Sequence, residues 1–324
     1  MSRTRTLPEL VQSIRSFQES RTLLTALELD VFSAVENGAT AEEAARSCGA
    51  DPGAMARLLD ALVALGALLK RGGVYRVTHD SAQLIPAREG LLHTVHLWEA
   101  WSTLTACVKA GTAVAGHGPE GLGTERTQAF IAAMHARAWE AAGETLRLLG
   151  ALGEAGEGQM LDIGGGSGAF SLAFARHFPE LKIELLDLGP VTAIARKNVQ
   201  DAGLEGRIAI RAGDMRTAAF GQGFDLVLLS AVLHMFGEAE ARGLIHRAAG
   251  ALGPGGRLII REFLLEEDRT APLASALFSL NMLVATPQGR SYTETELRQW
   301  MVEAGLVEIA RPDPEGDVML GTKA

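Results

Sequence analysis

Apolar positions between residues 7 and about 80 recur with helical spacing. Leu7, Leu10, Val11, Ile14 and Phe17 share one face of a first helix. A second helix is predicted over Thr22 to Val35. Thr40 followed by Glu43 forms a capping box, which opens a short helix ending near Gly49. Asp51-Pro52 supplies an N-cap and a proline at the first helical position, and opens a helix reaching about Lys70. Gly72-Gly73 then turns the chain into a short strand, Val74 to Val77. Helices followed by a β-wing outline a winged helix.

The segment after Asp51 says what the wing is for. PGAMARLLDALVALGALLK carries only Arg57, Asp60 and Lys70 as charges. A recognition helix needs basic and amide side chains that reach phosphates and base edges. A helix that is apolar on nearly every face must be buried, so packing or dimerisation is expected here and nucleic acid is not.

Residues 91 to 150 read as two long helices, joined by the glycine-rich GTAVAGHGPEGLG of residues 111 to 123, the best candidate for a mobile connection. From residue 158 the pattern changes. QMLDIGG, KIELLDL, RIAIRAG, FDLVLLSAV, GGRLIIREFLL, VEIARP and DVMLGTK read as strands, with helices between most of them. Seven strands alternating with helices predict a three-layer α/β sandwich around a mostly parallel sheet. The expected division is 1–90, 91–150 for connecting helices, and 151–324.

Composition narrows the class. The 324 residues hold 39 acidic and 30 basic side chains, a formal charge of -9, with 47% hydrophobic residues. That supports a large core and disfavours polyanion binding. Cys48 and Cys107 are expected to be free thiols in a reducing cytosol. The N-terminal stretch has no apolar core of a secretory signal. The uncharged run Ala271 to Gly289 is interrupted by Pro272, Asn281, Pro287 and Gln288, and reads as helix and loop rather than a membrane span. A cytoplasmic protein with metal-independent chemistry is expected, since no His, Asp and Glu cluster has metal-ligand spacing.

The sharpest motif is Leu161-Asp-Ile-Gly-Gly-Gly-Ser-Gly168, between the first strand and first helix of the α/β half. Glycines there let a ligand approach the main chain, and the following helix presents free N–H groups. Gly164-x-Gly166-x-x-Ala169 with Asp187 also fits a loose dinucleotide fingerprint. The loop alone does not separate a nicotinamide cofactor from another nucleoside-bearing one. Asp162 beside it suits a ligand amino group and would repel a pyrophosphate. Gly213-Asp214-Met215 places an acceptor for an adenine amine beside an apolar neighbour for the ring.

With LDIGGGSG, LLDL, AGDM, LLSAVLHMFGEAEA, LGPGGRLIIREFLL and GRSYTETELRQWMVEAG in this order, the chain resembles the class I S-adenosylmethionine-dependent methyltransferases. More closely, it resembles the small-molecule O-methyltransferases with an N-terminal winged-helix dimerisation domain, including plant caffeate and acetylserotonin enzymes and bacterial polyketide enzymes. The resemblance implies an α/β, Rossmann-like domain with a seven-stranded mostly parallel sheet, a mainly helical winged-helix domain, a homodimer and S-adenosylmethionine as cofactor. It implies that Gly164, Gly166 and their neighbours line the methionine portion, that Asp187 binds the ribose, and that Leu188, Asp214 and Met215 contact the adenine. Ser230 matches a polar residue near the cofactor, and Met134 a family methionine.

By the same resemblance His234 is the general base and Glu262 the glutamate that orients it. A base near pH 7 suits a hydroxyl acceptor such as a phenol. The other seven histidines are expected in solvated or capping roles. The family's His-Asp-Trp is His234-Met235-Phe236 here, and its flanking glutamate is replaced by Ser291. Fewer carboxylates beside His234 leave three routes open: an acidic acceptor, Glu262 alone, or catalysis by proximity. The acceptor pocket is expected to draw on Trp98, Trp101, Phe130, Met134, Met235, Phe236, Phe278 and Met282. A ligand-sensing regulator, a nicotinamide oxidoreductase, a non-methylating pericyclase or decarboxylase, and an N- or C-methyltransferase stand as alternatives.

Overall fold

A computed structural model describes residues 4–114, 124–151 and 158–324. The glycine-rich connection from 115 to 123, with His117, lies outside the described residues, as does the side chain of Phe130. The chain divides into two compact units, Met1–Glu99 and Ala100–Ala324.

The first unit holds α1 (Leu7–Arg15), α2 (Phe17–Glu28), α3 (Val31–Ala34), α4 (Ala41–Cys48), α5 (Pro52–Ala64), the hairpin β1 (Leu68–Arg71) and β2 (Val74–Val77), and most of α6 (Leu84–Trp101). The expected helix over Thr22 to Val35 is broken at Asp30, whose φ of 56° cannot continue a right-handed helix. The helix after Asp51 stops at Ala64 and not at Lys70. Gly66 turns at φ 76°, and Leu68 to Arg71 pair with the wing strand instead. An unbroken apolar run does not by itself separate helix from strand. Within the chain, α5 buries one face only, through Met55, Leu59 and Leu62. α1 buries none of its residues, and Leu7 and Ile14 are each 73% exposed. The expected boundary at residue 90 falls inside α6, because Leu91, Leu92 and Val95 pack into the first unit's core.

In the second unit, α7 (Leu104–Ala110) and α8 (Thr124–Ala151) precede the sheet. The strands are β3 (Gln159–Ile163), β4 (Lys182–Asp187), β5 (Ile208–Ala212), β6 (Phe224–Ser230), β7 (Leu252–Arg261), β8 (Leu306–Ala310) and β9 (Val318–Lys323). Between them lie α9 (Ala169–His177), α10 (Gly189–Asp201), α11 (Glu238–Ala251), α12 (Leu273–Ala285) and α13 (Glu294–Glu303). The strand order is β5-β4-β3-β6-β7-β9-β8, with β3 to β7 parallel and β9 antiparallel to both of its neighbours, β7 and β8, so that β9 alone runs against the other six.

Each central strand divides its side chains between two cores. Leu161, Ile163, Val227 and Leu229 join residues of α11 and α13 on one face. Met160, Leu226, Leu228 and Ile259 join residues of α8, α9 and α10 on the other. Burial on both faces explains why these strands read as continuous apolar runs. The order reverses between β3 and β6, which opens a crevice at their carboxyl ends, the usual ligand position in such sheets.

Candidate active site

The chain leaves β3 through the glycine loop. Gly164 adopts φ 73°, and a Cβ there would lie 2.6 Å from Val232 Cγ1 and 2.8 Å from Met215 Cε. Only glycine suits both the left-handed backbone and the close approach of the turns after β5 and β6. The Gly166 N–H donates to Asp187 Oδ2 at 2.7 Å, and the Leu188 N–H to Asp187 Oδ1 at 2.6 Å. Asp187, at the end of β4, thus holds the loop and the start of α10. Burial raises its carboxyl above the usual range, against the lowering by those two N–H donors.

Asp162 is buried and accepts from Ser171 Oγ at 2.6 Å. Burial pushes its carboxyl up to about 6, the Ser171 hydroxyl opposes this, and the Asp187 charge adds to the rise. The hydroxyl of Ser167 bonds to His135 Nδ1 on α8 at 2.8 Å. The solvated or capping role expected of His135 is therefore corrected: a half-buried ring holds the glycine loop.

Asp214 follows β5 and faces Arg216, with Oδ2 2.7 Å from its guanidinium. That contact holds its carboxyl below the usual range. Arg247 of α11 gathers the turn's carbonyls, donating to Met215 at 2.7 Å and Ala218 at 2.6 Å. Met215 packs against the main core. Ser230 is half-buried at the last position of β6, in register with Arg261.

Beyond Ser230, Ala231 takes φ 54°. This left-handed turn costs roughly 1–2 kcal/mol. Glu262 offsets that cost, since its Oε1 accepts from the N–H groups of Val232 at 2.9 Å and Leu233 at 2.7 Å. Glu262 Oε2 meets His234 Nδ1 at 2.7 Å. Both side chains are buried. Burial pushes the Glu262 carboxyl up, but the facing imidazole and the backbone donors outweigh it, and the net direction is down. The His234 ring stands edge-on to Phe278 of α12, with centroids 4.7 Å apart, and near Phe263 at 5.7 Å. The two phenyl rings stack at 3.9 Å.

His234 sits in a 3-10 turn, Leu233–Met235, held from the far side. Tyr292 Oη donates to the Phe236 carbonyl at 2.6 Å, and a Cβ on Gly289 would run into the His234 carbonyl oxygen. Ser291 is buried and donates to the Ser275 carbonyl at 3.2 Å. Among the expected pocket residues, Phe278 stands at His234, Trp101 donates its indole N–H to Asn281 at 2.9 Å, and Trp98 packs in the first unit.

The structure therefore brings Asp162, Gly164, Gly166, Asp187, Leu188 and Met215 together around one loop, and His234 and Glu262 together beside it through Val232. Sequence reasoning does not single out His135, Ser171, Phe263 or Tyr292 for these contacts. A histidine directly after Met134 is the available signal for the first. The others are common residue types whose roles depend on partners brought to them by the fold.

The residues fit a cationic, nucleoside-bearing ligand. Two acidic side chains flank a loop that exposes main chain, and a nearby positive charge favours the ionised form of Asp162, whose burial otherwise disfavours it. A pyrophosphate would meet two carboxylates instead. Such a crevice defines a class I S-adenosylmethionine-dependent methyltransferase. The O-methyltransferase domain model matches residues 122–307, and the O-methyltransferase dimerisation domain model matches residues 11–86. The chain is 33% identical to 3-hydroxy-5-methyl-1-naphthoate 3-O-methyltransferase of Streptomyces sahachiroi, over 94% of this chain and 92% of that protein. It resembles the solved structure of an O-methyltransferase family protein from Burkholderia thailandensis, with TM-score 0.89, 28% identity and 99% of each chain covered. Human N-acetylserotonin methyltransferase in complex with S-adenosylmethionine matches with TM-score 0.82 and 26% identity, covering all of both chains. The chain belongs to the O-methyltransferase family and is an S-adenosylmethionine-dependent enzyme acting on small molecules. The regulator and nicotinamide readings give way to this. No helix among the described residues is long and apolar enough to cross a membrane.

Proposed function

We propose that the enzyme methylates a hydroxyl of a small aromatic acceptor, with His234 as general base and Glu262 orienting it. The single observation that carries the reading is the buried 2.7 Å contact between His234 Nδ1 and Glu262 Oε2. An ionised carboxylate only accepts, so Nδ1 donates and Nε2 becomes the ring's acceptor. His234 Nε2 takes the acceptor's proton as its oxygen gains nucleophilicity. Glu262 stabilises the resulting imidazolium. Phe263 and Phe278 give the ring apolar walls that keep water from competing for Nε2. S-adenosylmethionine, when bound, supplies the methyl electrophile.

For the cofactor, we assign the methionine portion to Asp162, Gly164 and Gly166, the ribose to Asp187, and the adenine surroundings to Leu188, Asp214 and Met215, with Ser230 nearby. Asp214 must exchange some of its contact with Arg216 to serve a ligand amine. The relative that carries a naphthoate in its name supports an aromatic acceptor. The dimerisation-domain match and the exposed apolar face of α1 support a homodimer. Net acidity supports the absence of nucleic acid as a partner, and the free Cys48 and Cys107 support a cytoplasmic location.

The test is His234→Ala with a hydroxynaphthoate acceptor. Methyl transfer is expected to fall by about 10²-fold or more, while calorimetry shows unchanged cofactor affinity. Unchanged turnover would overturn the base role. Acceptor consumption by the wild type without S-adenosylhomocysteine formation would instead favour the non-methylating alternative. Methyl found on carbon or nitrogen would overturn the hydroxyl assignment.

A further inference from the structure

We propose that His135, acting through Ser167, is a positioning residue for the cofactor loop. Ser167 is the one residue between Gly166 and Gly168 and is itself buried. Its carbonyl accepts from Asn198 Nδ2 of α10 at 2.9 Å, and its hydroxyl bonds to His135 Nδ1 of α8 at 2.8 Å. Gly168, which opens α9, has no side-chain cap, and the Ser167 hydroxyl meets His135 of α8. One residue earlier, the Gly166 N–H is fixed by Asp187. The loop is thus tied to α10, α8 and the end of β4 within two residues.

The His135 ring is itself braced. It stacks on Trp139 with centroids 6.2 Å apart and an interplanar angle of 21°, and the Arg176 guanidinium lies 5.2 Å from the Trp139 ring. These residues line a cavity of about 560 Å³, shared with Glu140, Asn198 and Asp201. Burial holds the ring below the usual imidazole range, which favours its neutral form at neutral pH. A neutral imidazole oriented by a ring stack and aimed at the loop serine sets where the Gly166 main chain stands, and so how tightly the loop holds the cofactor. This rests on the reading that the loop is the cofactor site.

The experiment measures S-adenosylhomocysteine binding by calorimetry to His135→Ala, Ser167→Ala, the double variant, His135→Asn and Asp187→Ala. Each Ala single at 135 or 167 is expected to weaken binding by about five- to tenfold, the worth of one part-buried hydrogen bond. The double variant should bind no more weakly than the worse single. His135→Asn places an amide atom where Nδ1 stands and should restore affinity to within about twofold. Melting of the unliganded variants should stay within about 2 °C of the parent, and acceptor KM at saturating cofactor should not move. Normal affinity in His135→Ala, additive losses in the double variant, or an Asn variant as weak as Ala would each overturn the clasp. If Asp187→Ala also binds normally, the loop assignment itself fails. If only Asp187→Ala weakens binding, the loop assignment stands and the clasp fails.

Discussion

Asp162 and Glu262 are both buried carboxylates at the carboxyl ends of neighbouring regions of one sheet, yet their protonation leans in opposite directions. Asp162 has a serine hydroxyl and a second carboxylate nearby, and is pushed up to about 6. Glu262 faces an imidazole and the N–H groups of Val232 and Leu233, and is lowered. Burial is common to both. The donors around each oxygen decide the sign. One region is left electrically incomplete and suits a cationic ligand. The other is internally complete and holds a histidine in one tautomer.

The hardest way to break this contrast is Glu262→Ala. It removes the partner of His234 and strands the N–H groups of Val232 and Leu233. A loss of about 3–5 kcal/mol is expected, as for breaking a buried pair, read by urea unfolding. A loss below about 1 kcal/mol would mean those donors find other acceptors. Glu262 has a lowered folded-state value, so its contribution is fully present above the ordinary glutamate range and fades as pH falls through the lowered one.

Asp162→Asn sharpens the other side. An acid whose folded-state value is raised to about 6 keeps a proton that the unfolded chain has lost at that pH. Unfolding free energy therefore declines as pH rises from about 4 to 6. The variant lacks that penalty, so its stability relative to the parent, without cofactor, should rise by up to about 3 kcal/mol across the window. A constant difference between pH 4 and 7 would show that Asp162 titrates normally. The smallest effect is expected from Ser171→Ala, which removes one donor to Asp162. It should cost about 1 kcal/mol at pH 7, and less at pH 5, where the acid is largely protonated.

The glycine loop was legible in sequence because its work is done by the main chain. Positions such as Gly164 admit no Cβ, and that constraint marks the sequence locally. The seven strands were legible for a similar reason, since burial on both faces leaves apolar runs bounded by turns. The end of α5 was not, because an apolar run of that kind satisfies a helix and a hairpin strand equally well. The contact between His234 and Glu262 entered through resemblance. Its geometry depends on Ser230 and Arg261 standing in register, which no local pattern records.

The sequence by itself determined the elements of the α/β half, the glycine turn and the acidic groups around it, because each follows from neighbours a few residues apart. Only the tertiary structure decided which buried carboxylate is held ionised, which way Ser291 points, and that His135 reaches Ser167. Those outcomes depend on strand register and helix packing, which join His135 to a serine 32 positions away and His234 to a glutamate 28 positions away.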